Sequence, residues 1–596
     1  MRLRLPRELL AAPPARLDWL LFAVLSAACY VVFQQGDISI TAAHALAYLQ
    51  GHFLDFYEYN ARVVNLPGYL PSTYIVFALW NIPLWLLGLV GEGITASQRL
   101  IPLMWDKLLP TLFYLAVGFV TYKISHHLGF GHKRSKVIAY VWLTTPIAFF
   151  SQFIFGQYDS IGLFLVLVGL FFYFKGDLSA FALLCGAAFT FKYFHLLIFV
   201  PLLLLREKGI ARIMSGMALF ALPWLIVMLP YIPSQAFRQG VFGFQPASFV
   251  LGPSIWNGYV YLRLVVLGWI VTCAWAYSLE PPTERDLANW AFFFINLTMF
   301  LMFGLSLFNP QWLILATPFW VISSFMNTRV GVFLLLDILM MLFFIAFAAS
   351  FHGLGQDLFA LGVLKGLAVP VMAKTTPMKD LLLAPDASIS YSVFSALMLV
   401  QAIFKHPRYC ANRPARSAPP TPELIRTRFV GGIAIFVLPA AASLILGLIS
   451  PSPFFSTVDR GLSTVGPLTA GQEVQQAFVA KTAVISKLKF LPGLYAGKDA
   501  AQLRVQLVDP VANKTLWETE TNGRGLVDHQ LYTLRPPLVR VRLGQQYLIV
   551  FHAENVDDEH QLTIYRTEES DPAASQYAII NGQRQLYDLA LNIYGY

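Results

Sequence analysis

The sequence predicts a polytopic α-helical membrane protein with about 13 spans, followed by a C-terminal β-sandwich outside the membrane. Three observations carry that expectation. Apolar residues make up 57% of the 596-residue chain and charged residues only 13%, against about 25% charged in soluble domains. The apolar residues cluster into runs near the roughly 20 residues that a helix needs to cross a bilayer. After Pro451 the pattern changes to short period-two stretches separated by turn residues.

The formal charge of +9 is distributed over short loops between apolar runs, as the positive-inside rule requires, and leaves no basic surface for nucleic acid. Three of the four cysteines (Cys29, Cys185, Cys273) fall in apolar runs and Cys410 in a basic loop, which predicts neither a disulfide framework nor a metal cluster. No Gly-rich phosphate loop stands at a strand–helix junction, so no soluble nucleotide and no other cofactor is expected.

Arg2, Arg4, Arg7 and Arg16 place the N-terminus in the cytoplasm. Residues 17–35 are longer than a signal-peptide core and lack a small-residue cleavage site, so they read as a retained helix. Asp37 then emerges outside, at the head of an external loop, residues 36–91. The offsets from Ser39 to Ala43 and Ile40 to His44 predict a surface helix after Asp37. The apolar run 73–91 holds Asn81 and Pro83, and a span there would put the basic loop Lys123–Lys136 outside. It is therefore expected as a juxtamembrane or re-entrant element. The alternation continues through 105–122, 137–153, 161–174, a two-segment hairpin over 178–205 bent near Lys192, then 213–231, 259–279, 288–307, 313–326, 330–350, 390–404 and 429–449. The loop Lys405–Arg428 holds six basic residues, the strongest cytoplasmic signal. The chain thus divides into residues 1–450 and an extracytoplasmic domain, 451–596. In the latter Gln502–Leu507, Val539–Leu543 and Tyr547–Phe551 read as strands, with turns at Asp509-Pro510 and Asn522-Gly523.

This topology puts Asp37, Asp159, Lys192 and Gln311 on one face, with Asp55, Glu58 and Arg62 in the first loop. Ionisable groups gather on one side of a bundle when a water-filled cavity receives them. For each singly, a solvated residue at a helix end is the plain alternative. Lys192 lies between half-length apolar segments in Ala188–His195 and needs an anionic partner or an aqueous pocket. Phosphate suits such a point charge; snorkelling to outer headgroups is the alternative. His44, His52 and His195 lack metal-ligand spacing, so no metal site is expected.

Four motifs in order resemble the glycosyltransferase C superfamily, closest to its polyprenyl-phosphate-mannose-dependent mannosyltransferases of the bacterial envelope. They are Gly36-Asp37-Ile38, the segment Leu66-Pro67-Gly68-Tyr69-Leu70-Pro71-Ser72-Thr73-Tyr74, Gly156-Gln157-Tyr158-Asp159-Ser160, and Asn309-Pro310-Gln311-Trp312. Together they cover residues 17–330 loosely. The resemblance implies an inner-membrane enzyme that moves a mannose-like sugar, with inversion, from a polyprenyl-phosphate donor to an envelope glycan, glycolipid or protein on the extracytoplasmic side. It implies Asp37 as general base and Lys192 with Arg62 as binders of the donor phosphate. Gln157, Asp159, Asn309, Gln311, Tyr69 and His195 would contact substrate. The segment reads Leu-Pro where the family often shows Tyr-Pro or Pro-Pro. No second carboxylate accompanies Asp37, which implies metal-independent transfer. A lipid-linked sugar transporter or flippase would also need a polar pocket, but no internal repeat of the transporter kind is present. A non-catalytic glycan-binding membrane protein would not need so many spans.

Overall fold

The computed structural model describes residues 14–243, 252–256, 261–351, 358, 362–365, 378, 382, 386–410, 420–449, 452–457, 462–496, 502–522, 526, 531–556, 561–567, 577–585 and 587–595. Arg2, Arg4 and Arg7, parts of the loops 232–258 and 352–386, Arg413, Arg416 and Gly523 lie outside the described residues. The chain forms two compact units, Met1–Ile445 and Leu446–Tyr596.

The first unit is helical. α1 (Arg16–Val32) breaks at residues 33–36 and resumes at an angle of 69° as α2 (Asp37–Leu49). The break is held by Lys107, whose Nζ donates to the carbonyls of Phe33 at 2.7 Å and of Tyr30. A cation thus satisfies carbonyls that α1 leaves open at its C-terminal end. α3 (Phe56–Val63) and α4 (Pro71–Leu86) complete the first loop. α4 runs through Asn81 and Pro83 without interruption; the Asn81 amide donates to the Phe77 carbonyl of its own helix at 3.1 Å and to Asp106 Oδ1 of the next at 2.6 Å. At 1.5 Å per residue its 16 residues reach about 24 Å, short of the ~30 Å hydrocarbon core. It packs on the start of α5 (Leu100–His127). Trp80 and Trp105 stack at 4.8 Å and each donates to the other's carbonyl.

After α6 (Gly131–Leu143) come α7 (Asp159–Phe174), α8 (Leu178–Phe189), α9 (His195–Arg206), α10 (Ile210–Met228), α11 (Leu264–Ser278) and α12 (Glu284–Met299). α13 (Thr317–Met326), α14 (Val330–Phe351), α15 (Ala387–Phe404) and α16 (Pro422–Ile449) close the unit. Among the described residues six helices are long and apolar enough to cross a membrane, and eight if the bent pairs at α1–α2 and α6 with Pro146–Phe155 each count once. This is fewer than the expected number. α7, α8, α9 and α11 are apolar but have only 16, 12, 12 and 15 residues.

Helix ends meet in two groups. Beside the C-terminus of α7, His127 Nε2 donates to the Phe174 carbonyl at 3.3 Å. There too Arg206 donates to the Tyr173 carbonyl at 2.8 Å and pairs with Glu284 at 3.0 Å. Arg134 donates to the Phe325 carbonyl at 3.4 Å, and Asn327 Nδ2 to that of Phe404 at 2.7 Å. Asp18 pairs with Arg426 at 2.6 Å, so α1 and α16 start side by side. The first-loop segments meet instead at the other end of α7, around Asp159.

The basic residues of Lys405–Arg428 are not all loop charges. α16 begins at Pro422, so Arg428 is helical and buried to 0% exposure. It bonds Asp337 of α14 at 2.9 Å, the Val141 carbonyl at 3.0 Å and Thr145 Oγ1 at 2.7 Å. Lys405, also buried, donates to the Trp320 carbonyl at 3.0 Å and to Gln401 Oε1 at 2.6 Å.

The second unit is built of antiparallel sheets. The larger runs Gln583–Arg584, Tyr577–Ile580, Glu473–Val479, Gln546–Glu554, Gln502–Asp509, Lys514–Asn522. Another runs Tyr532–Leu534, Val484–Phe490, Leu591–Gly595, Ser452–Ser456. Alternation in Gln502–Asp509 turns Leu503, Val505 and Leu507 inward. They join Ile549 and Phe551 in one core with Ile485, Leu488, Phe490 and Ile593 of the other sheet, where the Phe490 and Phe551 rings lie 5.1 Å apart. Of the expected strand Val539–Leu543 only Val539–Arg540 pairs as strand.

Candidate functional site

Asp37 is the first residue of α2, and its backbone N–H donates to Gln35 Oε1 at 2.5 Å. Its Oδ2 accepts from Gln157 Nε2 at 2.6 Å, and Gln157 Nε2 lies 3.3 Å from Tyr69 Oη. Gln157 is positioned by what precedes it. A π-helical turn over Phe150–Phe155 ends at Gly156 with φ +78°, a left-handed conformation that glycine adopts freely. A Cβ there would lie 2.7 Å from Gln34 Oε1. Gln34 Nε2 donates to the Gly156 carbonyl at 3.5 Å, and the Gln35 N–H to that of Phe155 at 3.1 Å. The end of α1 is therefore joined to the Gly-Gln-Tyr-Asp segment more than a hundred residues later, and Asp37 and Gln157 meet as a result.

Two residues on, Asp159 opens α7 and forms an ion pair with Lys192, which lies in the break between α8 and α9. Both side chains are buried. The Lys192 ammonium also sits 5.0 Å from the Trp312 ring centroid and 5.5 Å from that of Tyr158. These faces attract a desolvated cation. Trp312 comes from a 3₁₀ turn, Pro310–Leu315, and packs on Phe194 at 4.8 Å. Asp37 lies within electrostatic reach of both members of the pair.

His195 Nδ1 is 2.9 Å from the carbonyls of Ala188 and Lys192. Both are acceptors, so Nδ1 carries the proton and Nε2 is left as an acceptor. Nε2 is buried without a hydrogen-bond partner, as are Gln157 Oε1 and Gln311 Oε1. Gly162 makes room for the imidazole: a Cβ would lie 2.8 Å from His195 Cε1.

A cavity of about 50 Å³ opens against Gly68, Tyr69, Leu70, Phe191, Lys192 and Trp312. A crevice too tight for a water, with Tyr158, Asp159 and His195 in its wall, shares Phe191 and Lys192 with it. A larger cavity of about 360 Å³ involves His127, Phe174, Glu284 and Asn289 at the other end of α7. Its described charged lining is Glu284 and Arg285, and Glu284 pairs with Arg206.

Of the residues singled out from sequence, Asp37, Gln157, Tyr69, Asp159, Lys192 and His195 come together. Gln311 is buried on the turn that carries Trp312. Arg62 does not join them: it is exposed on α3, and its Nε donates to the Glu58 carbonyl of its own helix at 3.2 Å. The i,i+4 geometry of α3 turns it along the helix rather than toward Lys192. Asn309 acts through its backbone, its carbonyl accepting the Trp312 N–H at 2.9 Å. Asp55 bonds His52 at 2.9 Å. Gln34 and Gln35 were not singled out. Their signal is two adjacent carboxamides where an apolar helix ends, immediately before a carboxylate.

No known family model matches the chain, and no curated protein matches it. Among solved structures it is similar to ArnT from Cupriavidus metallidurans bound to undecaprenyl phosphate, with 15% identity and a TM-score of 0.37 over 70% of this chain and 78% of that one. It is also similar to the apo state of the same protein, with 14% identity and a TM-score of 0.34 over 69% and 77%.

Proposed function

We propose that this chain is an integral membrane glycosyltransferase that moves a mannose-like sugar, with inversion, from a polyprenyl-phosphate donor to an envelope glycan, glycolipid or protein on the extracytoplasmic side of a bacterial inner membrane. The observation that carries the reading is the convergence of Asp37, Gln157, Asp159 and Lys192 at the end of an apolar bundle, with Lys192 and Tyr69 in the wall of one cavity. A buried base, a buried cation and a largely aromatic wall are what a lipid phosphosugar needs.

In this reading Asp37 takes the proton of an acceptor hydroxyl as the hydroxyl oxygen bonds to the anomeric carbon. The bond from that carbon to the phosphate oxygen breaks, and the phosphate leaves with added negative charge. Lys192 stands where that charge develops, in surroundings where an electrostatic contact is strong. Arg62 has no part in it. Gln157 holds Asp37 in place, while Tyr69, Gln311 and His195 offer a hydroxyl and two unpartnered acceptors to sugar hydroxyls. The two groups of helix ends support a common side for the four motifs, and the short α4 supports a juxtamembrane first loop.

The test is sugar transfer by Asp37→Asn and Asp37→Ala in membranes given radiolabelled polyprenyl-phosphate sugars. Loss of transfer with retained donor binding is expected. Undiminished transfer would end the assignment of the base, and movement of labelled lipid across the membrane without transfer would favour a flippase.

A further inference from the structure

The site has a charge imbalance that donor binding must resolve. Asp159 and Lys192 neutralise each other, and Asp37 adds a second carboxylate beside them. Among the described groups Lys192 is the one cation that acts on either carboxylate. The other titratable neighbours of Asp159 are Tyr69, Tyr158 and His195, and none of them brings a positive charge: the tyrosines are neutral hydroxyls and His195 has a single ring proton on Nδ1. A phosphate diester carries one more negative charge into the same buried space. Three anions around one ammonium in low dielectric are strongly disfavoured.

We propose that Asp159 holds the place of the donor phosphate on Lys192, and that the phosphate displaces it with uptake of one proton from solution onto the Asp159 carboxylate. The proposal rests on the transferase reading of the site. The balance closes: the carboxylate becomes a neutral carboxylic acid, the phosphate becomes the counter-ion of Lys192, and the net charge of the site is unchanged. A neutral Asp159 also gains a donor O–H. One unpartnered acceptor, His195 Nε2, shares the crevice wall with Asp159. Asp159 is then a positioning residue that keeps Lys192 charged and fixed while the site is empty.

The test is calorimetric titration of the full chain in detergent with a short-chain prenyl methyl phosphate, a diester whose own phosphate does not titrate near neutral pH. Measurements in buffers of different ionisation enthalpy count the protons. About one proton is expected to be taken up per ligand, with the apparent Kd rising about tenfold per pH unit on the alkaline side. Asp159→Asn should bind at least as tightly with no proton uptake and no such slope, and Lys192→Gln should not bind. Wild-type binding without proton uptake would overturn the proposal while leaving the transferase reading intact. Uptake that survives Asp159→Asn and vanishes in His195→Gln would also overturn it, by placing the proton on the imidazole. Absence of binding, or binding indifferent to Lys192→Gln, would overturn both.

Discussion

Gln157→Ala probes the site most directly, because this side chain touches the proposed base and no other carboxylate. Its Nε2 donates to Asp37 Oδ2 at 2.6 Å. A hydrogen bond to a charged group is worth about 1.5–3 kcal/mol. If it holds Asp37 in the orientation that receives the acceptor proton, its loss appears in the chemical step as a roughly 10- to 150-fold fall in kcat. In the proposed mechanism the donor phosphate rests on Lys192, which the substitution leaves alone, so KM for the donor should change little. Stability should fall too, by about 1–3 kcal/mol, because the substitution leaves Asp37 Oδ2, largely removed from water, without this donor. The assay is transfer from a radiolabelled polyprenyl-phosphate sugar at saturating donor, over a range of acceptor concentrations, with the unfolding temperature measured on the same preparation. A kcat within twofold of the parent chain, or a loss carried by donor KM alone, would refute the orienting role.

Three further outcomes follow from the same geometry. Asp337→Ala leaves the Arg428 guanidinium buried at 0% exposure without a counter-charge, so thermal unfolding should report a loss of about 3–5 kcal/mol, whereas Asp337→Leu with Arg428→Met should recover most of it. Gly156→Ala forces a side chain into φ +78° and against Gln34; about 1–2 kcal/mol of strain is expected, together with slower transfer as Gln157 moves, and parent-like rates would show that the turn does not set Asp37. In the second unit the Ala512 N–H, then that of Val511 and the Gln545 amide, hold the Asp509 carboxyl below its ordinary range. That contribution is present above the unfolded pKa and lost as pH falls through the lower folded value. Asp509→Ala should therefore unfold below the parent at neutral pH, with the gap closing in acid; a gap independent of pH would contradict this.

Much of the site was legible because membrane composition makes exceptions conspicuous. Asp37 stands out at the end of an apolar run, and Lys192 stands out inside one, at the break between α8 and α9. What stands opposite each was not legible. The Asp37–Gln157 contact spans 120 residues, and Arg62 and Lys192 are equivalent as cations until α3 turns one of them into water. Charge bias counted Lys405 and Arg428 as loop residues, although helix starts and ends bury both. Among the described residues fewer helices than expected reach spanning length for a related reason: hydropathy marks an apolar run but not whether 12 or 16 residues of it form one straight helix.

From its sequence alone this protein is determined as a chain of apolar helices followed by alternating strands, with an acidic residue after the first helix and a lysine inside a later apolar segment. Those features depend on local composition and period, which each stretch carries by itself. Only the tertiary structure decided that Gln157 meets Asp37, that Asp159 neutralises Lys192, and that Arg62 stays apart. The reason is physical: a buried charge takes its partner from whichever helix packs beside it, and that neighbour is chosen by the whole bundle.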